Sequence, residues 1–268
     1  MPEGDTLHRT AAGLAPHLVG RAVIAARAGA GGAQVGRVVG ATIQSVEAVG
    51  KNLLIRFDNG LELRTHLRMN GSWHRYRPGE RWRRSPSRAR LVLEVPGAVA
   101  VCFDAPVVEL FETRAAAAHP TLRALGPDLL DQDWGPGDAT EARRRLRDPA
   151  RADRTISEAL LDQRAVAGIG NIWRNETLFA ERIDPLSRVR DLDDASLDRL
   201  VATARRLLLA SVGVAPGRAP TRVYRRPGRP CPRCGTSIRS APLRAEVPRT
   251  TYWCPSCQAP RVAADSRA

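Results

Sequence analysis

Four of the five cysteines fall in one pattern near the end of the chain: Cys231-x2-Cys234, nineteen residues, then Cys254-x2-Cys257. Two such knuckles have the spacing of a four-thiolate structural zinc site. The segment around them has little apolar material of its own, so it is expected to fold only around the metal. Four thiolates leave no open coordination position, which makes the expected Zn2+ structural rather than catalytic. Val247, Thr250, Thr251, Tyr252 and Trp253 between the knuckles suit a β-hairpin, and Arg249 on that hairpin can reach a phosphate. A redox pair of Cys-x-x-Cys motifs is the alternative, but it lacks the strand–helix unit that should precede it. Clustered thiols with a metal also point to a reducing compartment. The fifth cysteine, Cys102, lies between Val101 and Phe103 and reads as an inert buried residue.

The charge balance is far from neutral: 42 Lys and Arg against 28 Asp and Glu give a net charge of +14. That excess favours a polyanionic partner. A GC-rich genome accounts for arginine over lysine, but not for the surplus over acids. All but one of the basic residues are arginine, and the single lysine is Lys51, in Val49-Gly50-Lys51-Asn52 at the entry to an apolar run. Either one surface lysine survives by chance, or this position needs a compact point charge on a flexible stem where a planar fork will not do. No apolar run is long enough to span a membrane, and the start Met1-Pro2-Glu3-Gly4-Asp5 is not a signal peptide, so no membrane association is expected.

Along the chain, Gly4 to about Gly20 reads as a helix capped by Asp5 or Thr6, with Pro16 as a kink or restart point. Short strands then follow at 21–28, 41–49, 52–58, 61–67, 90–95, 98–103 and 107–111, with Asp58-Asn59-Gly60 and Pro96-Gly97 as turns. This spacing predicts an antiparallel sandwich or barrel. Met69 sits at a turn tip, either as a wedge for a base stack or as a core filler. Arg75–Arg90 carries seven arginines beside Tyr76 and Trp82, and reads equally as a strip along a nucleic-acid backbone or as a solvated, disordered loop. Beyond the Pro- and Gly-rich stretch at 126–137 the character turns helical, at 139–147, 155–164, 171–182 and 196–211. Between two of these helices, Gly168-Ile169-Gly170 permits a tight turn, and Asn171 is expected to cap the helix behind it. Such a terminus is either a phosphate site or a plain connector.

Pro2 is the remaining candidate. With the initiator methionine removed, it becomes a secondary amine with a pKa near ~8, far more nucleophilic at neutral pH than a lysine. Attack of that amine on a sugar C1′ gives an iminium, a fixed positive charge that acts as an electron sink. Glu3 beside it can move protons. Read without context, Pro2 merely follows the start and Glu3 opens a helix whose dipole suits an acid.

Met1-Pro2-Glu3-Gly4, Gly168-Ile169-Gly170-Asn171-Ile172 and Tyr252-Trp253-Cys254-Pro255-Ser256-Cys257-Gln258 occur in order along nearly the whole chain. Together they make the sequence resemble the formamidopyrimidine-DNA glycosylase/endonuclease VIII family of base-excision repair enzymes. The resemblance implies an α+β multidomain protein. Residues 1–125 would form an N-terminal helix and antiparallel β-sandwich, and 126–137 a linker. A helix–two-turn–helix module at 138–222, a four-cysteine zinc finger at 223–260 and a tail at 261–268 would follow. It implies a bifunctional glycosylase and AP lyase working by β,δ-elimination. The partner would be damaged DNA, double- or single-stranded, bound by a monomer in the bacterial cytoplasm. Pro2 would be the nucleophile, Glu3 the proton donor and acceptor, and Lys51 the contact to the phosphate beside the lesion. Gly170 and Asn171 would grip the same backbone, Arg249 would do so from the finger, and Met69 would fill the gap left by the flipped base.

Two departures bear on the lesion. The purine-lesion branch carries Asp-Pro-Arg-Arg-Phe on a wedge loop, whereas the corresponding stretch here is Asp104-Ala105-Pro106-Val107-Val108-Glu109. The Pro2-Glu3-Gly4 start also resembles the endonuclease VIII branch, so oxidised pyrimidines are the expected substrates. The alternatives are a purine-lesion enzyme of the same family and a non-catalytic DNA-binding zinc protein. The acid often found shortly after the catalytic glutamate is Thr6 here, so a supporting carboxylate would come from Asp5 or Glu176.

Overall fold

A computed structural model describes residues 2–29, 32–215, 219–243 and 249–259. Val247 of the expected hairpin, Met1 and the expected tail at 261–268 lie outside the described residues. The chain forms two compact units, one within Met1–Leu125 and the other within Gly126–Ala268.

The first unit opens with α1 (Gly4–Leu18). Its N-cap is Glu3, not Asp5 or Thr6: the Glu3 carbonyl accepts the N–H groups of Thr6 and Leu7. Asp5 instead bonds the Thr6 N–H at 2.8 Å and pairs with Arg9 at 3.1 Å. Pro16 falls in the last turn, and the helix runs through it to Leu18.

Eight strands follow: β1 (Ala25–Ala28), β2 (Ile43–Val49), β3 (Asn52–Phe57), β4 (Leu61–His66), β5 (Ser72–Tyr76), β6 (Ala89–Val95), β7 (Ala98–Phe103) and β8 (Val107–Glu112). They build two four-stranded antiparallel sheets, in the orders β1-β6-β7-β5 and β2-β3-β4-β8. Alternation explains how they stack. On β6 and β7, Leu91, Leu93, Ala100 and Cys102 join Ile55, Leu63 and the α1 residues Leu7, Leu14 and Leu18 in one core. The intervening residues Val92, Val99, Val101 and Phe103 face the other way, into a smaller cluster closed by Tyr76 and Trp82. Strand β7 is buried on both faces, which is why its sequence is apolar throughout. Burial pushes the Cys102 thiol well above its ordinary range, as an inert core residue requires. A short helix, α2 (Pro120–Arg123), comes last.

The second unit contains α3 (Pro136–Leu146), α4 (Ile156–Ala159), α5 (Asn171–Ala180) and α6 (Asp194–Val212), then the hairpin β9 (Arg239–Leu243) and β10 (Arg249–Trp253). Part of the 126–137 stretch is built into this unit: Leu129 and Leu130 lie in its core, and the Ala167 N–H donates to the Pro127 carbonyl. The helix expected at 155–164 is a single turn. A Thr155–Glu158 capping box starts it, but Asp162 then takes the Arg164 N–H and pairs with Arg151, turning the chain away. No described helix is long and apolar enough to cross a membrane.

Candidate functional site

Two side-chain constellations carry most of the residues singled out by the sequence, one in each unit.

In the first unit, Lys51 occupies a two-residue hairpin between β2 and β3, closed by the Val49–Asn52 pair. Gly50 takes a left-handed φ of 58° at the first central position, where a side chain would be strained. The Asn52 amide donates to the Val49 carbonyl at 3.0 Å and fastens the turn. On its other side Asn52 accepts the Nε of Arg64 at 2.9 Å. Arg64 is buried and ion-paired with Glu109, which also meets His119 Nε2 at 3.1 Å. The lone lysine thus stands beside a polar chain, Asn52–Arg64–Glu109–His119, that is buried at Asn52 and Arg64 and reaches the surface at Glu109, and whose members no local sequence signal marks. Arg64 and Glu109 face each other across β4 and β8, a pairing that only the strand register reveals.

Opposite Asn52 on β4 is His66. Burial first, then the charges of Arg64, Lys51 and Arg68, push its pKa down to about 4, so it is neutral near pH 7. Its Nδ1 accepts the Arg68 N–H at 3.3 Å, which leaves the proton on Nε2. The chain then turns through Met69, whose side chain is 48% exposed and is no core filler. Gly71 closes the turn by donating to the Leu67 carbonyl, and a Cβ there would lie 2.6 Å from that oxygen. Lys51, His66 and the Met69 turn therefore share one end of the same sheet. Glu3 is 1% exposed at the start of α1, and its side chain makes no cap to the helix. Pro2, half-buried, directly precedes it. The stretch at 104–109 forms no long loop: Asp104 turns at a φ of 53°, and Val107 and Val108 enter β8 opposite His66 and Thr65.

In the second unit the four cysteine sulfurs lie within 4.8 Å of one another and can hold a metal ion. The separations of 3.4, 3.5 and 3.9 Å between neighbouring sulfurs are too long for disulfides. They match the ~3.8 Å edge of a tetrahedron with metal–sulfur bonds of about 2.3 Å. The Arg233 N–H points at the Cys231 sulfur and the Cys257 N–H at the Cys254 sulfur, both at 3.4 Å.

The cysteine segment docks on α5. Phe179 packs with Val223, Ile238, Cys231 and Cys254. Arg233 lies over the Phe179 ring and caps α5 through the carbonyls of Phe179 and Ala180. Gln258, fully buried, takes the Cys254 N–H and donates to the Ile183 carbonyl. Glu176 accepts the backbone N–H groups of Arg222, Val223 and Tyr224 at 2.8, 3.0 and 2.9 Å. Its carboxylate is thus committed to holding the segment that leads to the cysteines.

Gly170, extended and buried, is the N-cap of α5, and Asn171 is the first helical residue rather than the cap. The reason is non-local. The Asn171 amide donates to the Thr250 carbonyl on β10 at 3.3 Å, while its oxygen accepts from the fully buried Arg174 at 2.6 Å. Asn175 adds a bond from the Tyr252 N–H at 2.8 Å. Asn171 and Arg249, next to Thr250 at the head of β10, are thereby held on one frame.

Residues 1–106 match the model for the formamidopyrimidine-DNA glycosylase N-terminal domain, and residues 125–221 the model for the formamidopyrimidine-DNA glycosylase H2TH domain. A probable endonuclease 8 2 of Streptomyces coelicolor is 39% identical over 97% of this chain and 94% of its own length. The chain belongs to the formamidopyrimidine-DNA glycosylase/endonuclease VIII family. Another member, the DNA-(apurinic or apyrimidinic site) lyase Nei2 of Mycolicibacterium smegmatis, is 35% identical over 96% of this chain and 99% of its own. The family fold is also that of Lactococcus lactis formamidopyrimidine DNA glycosylase, solved on DNA containing an AP site. That structure superposes with a TM-score of 0.83 at 23% identity, covering 97% of this chain and 100% of the other.

Proposed function

We propose that this family member is a bifunctional DNA glycosylase and AP lyase of base-excision repair. The observation that carries the reading is the start of the chain: α1 begins at Gly4, so Pro2 and a buried Glu3 are fixed by a rigid element. The Pro2 nitrogen attacks C1′ of the damaged nucleotide, the glycosidic bond breaks, and the base leaves with a proton supplied through Glu3. The C1′–O4′ bond then opens as O4′ takes up a proton, and the resulting iminium withdraws electrons from the opened sugar, which permits β- and then δ-elimination of the flanking phosphates. Water then releases Pro2.

The other residues position the DNA. Lys51 meets the phosphate beside the lesion, steered by the Asn52–Arg64–Glu109 chain beneath it. In the second unit Gly170, Asn171 and Arg249 bind DNA backbone, and exposed Met69 of the first fills the space vacated by the flipped nucleotide. The metal is one Zn2+, held by Cys231, Cys234, Cys254 and Cys257. Its contribution is to fold the hairpin that carries Arg249. The place of action is the bacterial cytoplasm, on DNA, and the working form is a monomer.

The substrates are oxidised pyrimidines. Val107 and Val108, paired into β8, supply neither an arginine nor an aromatic wedge of the kind used to read a cytosine opposite a purine lesion. The endonuclease 8 names of the relatives support the same branch. Single-lesion duplexes assayed for strand cleavage test the reading. An oxidised pyrimidine should be excised faster than 8-oxoguanine opposite cytosine, and the reverse ranking would move the chain to the purine-lesion branch.

A further inference from the structure

The arginine-rich loop between β5 and β6 is ordered, which removes the solvated-coil reading. Trp82 stacks on Tyr76 with ring centroids 6.2 Å apart and meets Phe103 edge-on at 5.8 Å. The Tyr76 hydroxyl accepts the Arg83 N–H at 3.1 Å. Glu80 closes a small turn, its carboxylate accepting the Arg77 N–H at 2.9 Å. At the base of the loop Asp104 takes Nε and Nη2 of Arg88 at 2.9 and 2.8 Å, and Nη1 of Arg84 at 2.6 Å. The same Arg84 nitrogen reaches the Asn70 carbonyl at 3.4 Å, so the loop is tied to the turn that presents Met69.

This anchoring sorts the arginines. Arg84 and Arg88 are committed to Asp104. Arg77, Arg81 and Arg83 are exposed, and their guanidinium groups form no ion pair with any described residue. The aromatic rings are used inside the loop's own cluster, so the surface offers charge without a ring on which a base could stack. Stacking platforms are what a groove for single strands requires. Exposed guanidinium forks on an ordered frame suit phosphate oxygens and carry no sequence information.

We propose that Arg77, Arg81 and Arg83 form a phosphate-binding strip that extends the DNA interface beyond the Met69 turn, gripping the flanking duplex backbone without reading its sequence. The inference rests on the proposed function, in which the Met69 turn faces DNA.

The test is the full-length triple variant Arg77→Ala/Arg81→Ala/Arg83→Ala, with a parallel triple Arg→Lys variant, titrated onto long undamaged duplex over a range of salt. Every phosphate that is no longer neutralised lowers the slope of log affinity against log salt by about 0.9, so the alanine variant should be shallower by about 2.7. Between about 50 and about 200 mM salt the affinity gap between wild type and the alanine variant should thus narrow about 40-fold. The lysine variant should keep most of the wild-type slope, which separates loss of charge from misfolding. Strand cleavage of an abasic duplex by the wild-type protein is measured alongside as an independent readout. An unchanged slope in the alanine variant, or a lysine variant as shallow as the alanine one, overturns the strip. Absence of cleavage in wild type, with the slopes ordered as expected, would instead overturn the proposed function and leave the strip standing.

Discussion

Replacing Glu176 by alanine removes the acceptor of three backbone N–H groups at one stroke, and the structure sets the size of the effect. The three N–H groups differ in exposure. That of Val223 belongs to a residue with no exposed surface, Tyr224 is half-buried, and Arg222 is exposed. A buried donor left without a partner costs about 1–3 kcal/mol, whereas donors that water can reach cost about 0.5–1.5 kcal/mol each. The sum is roughly 3 kcal/mol, taken from the segment whose Val223 packs on Cys231 and Cys254. Because folding of the cysteine segment and metal binding are one equilibrium, that cost appears as weaker metal affinity, by roughly 100-fold at 1.4 kcal/mol per decade. Competition with a chromogenic chelator measures it directly. Glu176→Gln keeps the oxygen that serves Val223 and Tyr224 and sacrifices only the bond to Arg222, so it should weaken the metal by less than about tenfold. A wild-type competition curve for the alanine variant, or equal damage from both, would refute the assignment of Glu176 to the metal segment.

Cys254→Ser should release the metal and abolish DNA binding while the first unit, which has its own core, still melts cooperatively; retained metal with full DNA affinity would show that the cysteines serve another purpose. His66 is neutral when folded and is held there down to about pH 4, whereas the unfolded chain takes up its proton near pH 6.5. Stability from this group is therefore complete above about pH 6.5 and lost on acidification toward pH 4, by on the order of 3 kcal/mol. Urea midpoints across that range should fall less steeply for His66→Gln than for wild type, and identical slopes would contradict the burial argument. Lys51→Arg keeps the charge but replaces a point with a fork in a two-residue turn, so excision should slow while binding of undamaged DNA is nearly retained; equal excision rates would mean that the lone lysine is incidental.

The features legible from the sequence are those written in short stretches. Cys-x2-Cys spacing, the hairpin at Asn59-Gly60 and the strand alternation around Leu91 and Ala100 are local, and each appears in the fold close to its expected place. The features that are not legible depend on partners distant in the chain. Asn171 looks like a helix cap until β10 supplies the Thr250 carbonyl, 79 residues away. Nothing local marks Arg64, which is buried and paired only because β8 brings Glu109 opposite it. The helix expected to Arg164 stops at Ala159 because Asp162 finds Arg151 and a backbone N–H more favourable than another helical turn. By composition the arginine loop suits disorder, since nothing in its own sequence says that Trp82 will find Tyr76 and Phe103.

Borohydride trapping tests most directly whether Pro2 is the nucleophile. Wild-type protein mixed with a single-lesion duplex and borohydride should yield a stable covalent adduct, the iminium having been reduced to an amine. Peptide mapping should place the DNA on an N-terminal peptide that begins at Pro2, with Met1 removed. A version carrying an extra N-terminal residue locks the proline nitrogen in an amide and should give no adduct while binding DNA as before. An adduct that maps to Lys51, the only lysine amine in the sequence, would make that residue the nucleophile and contradict the mechanism.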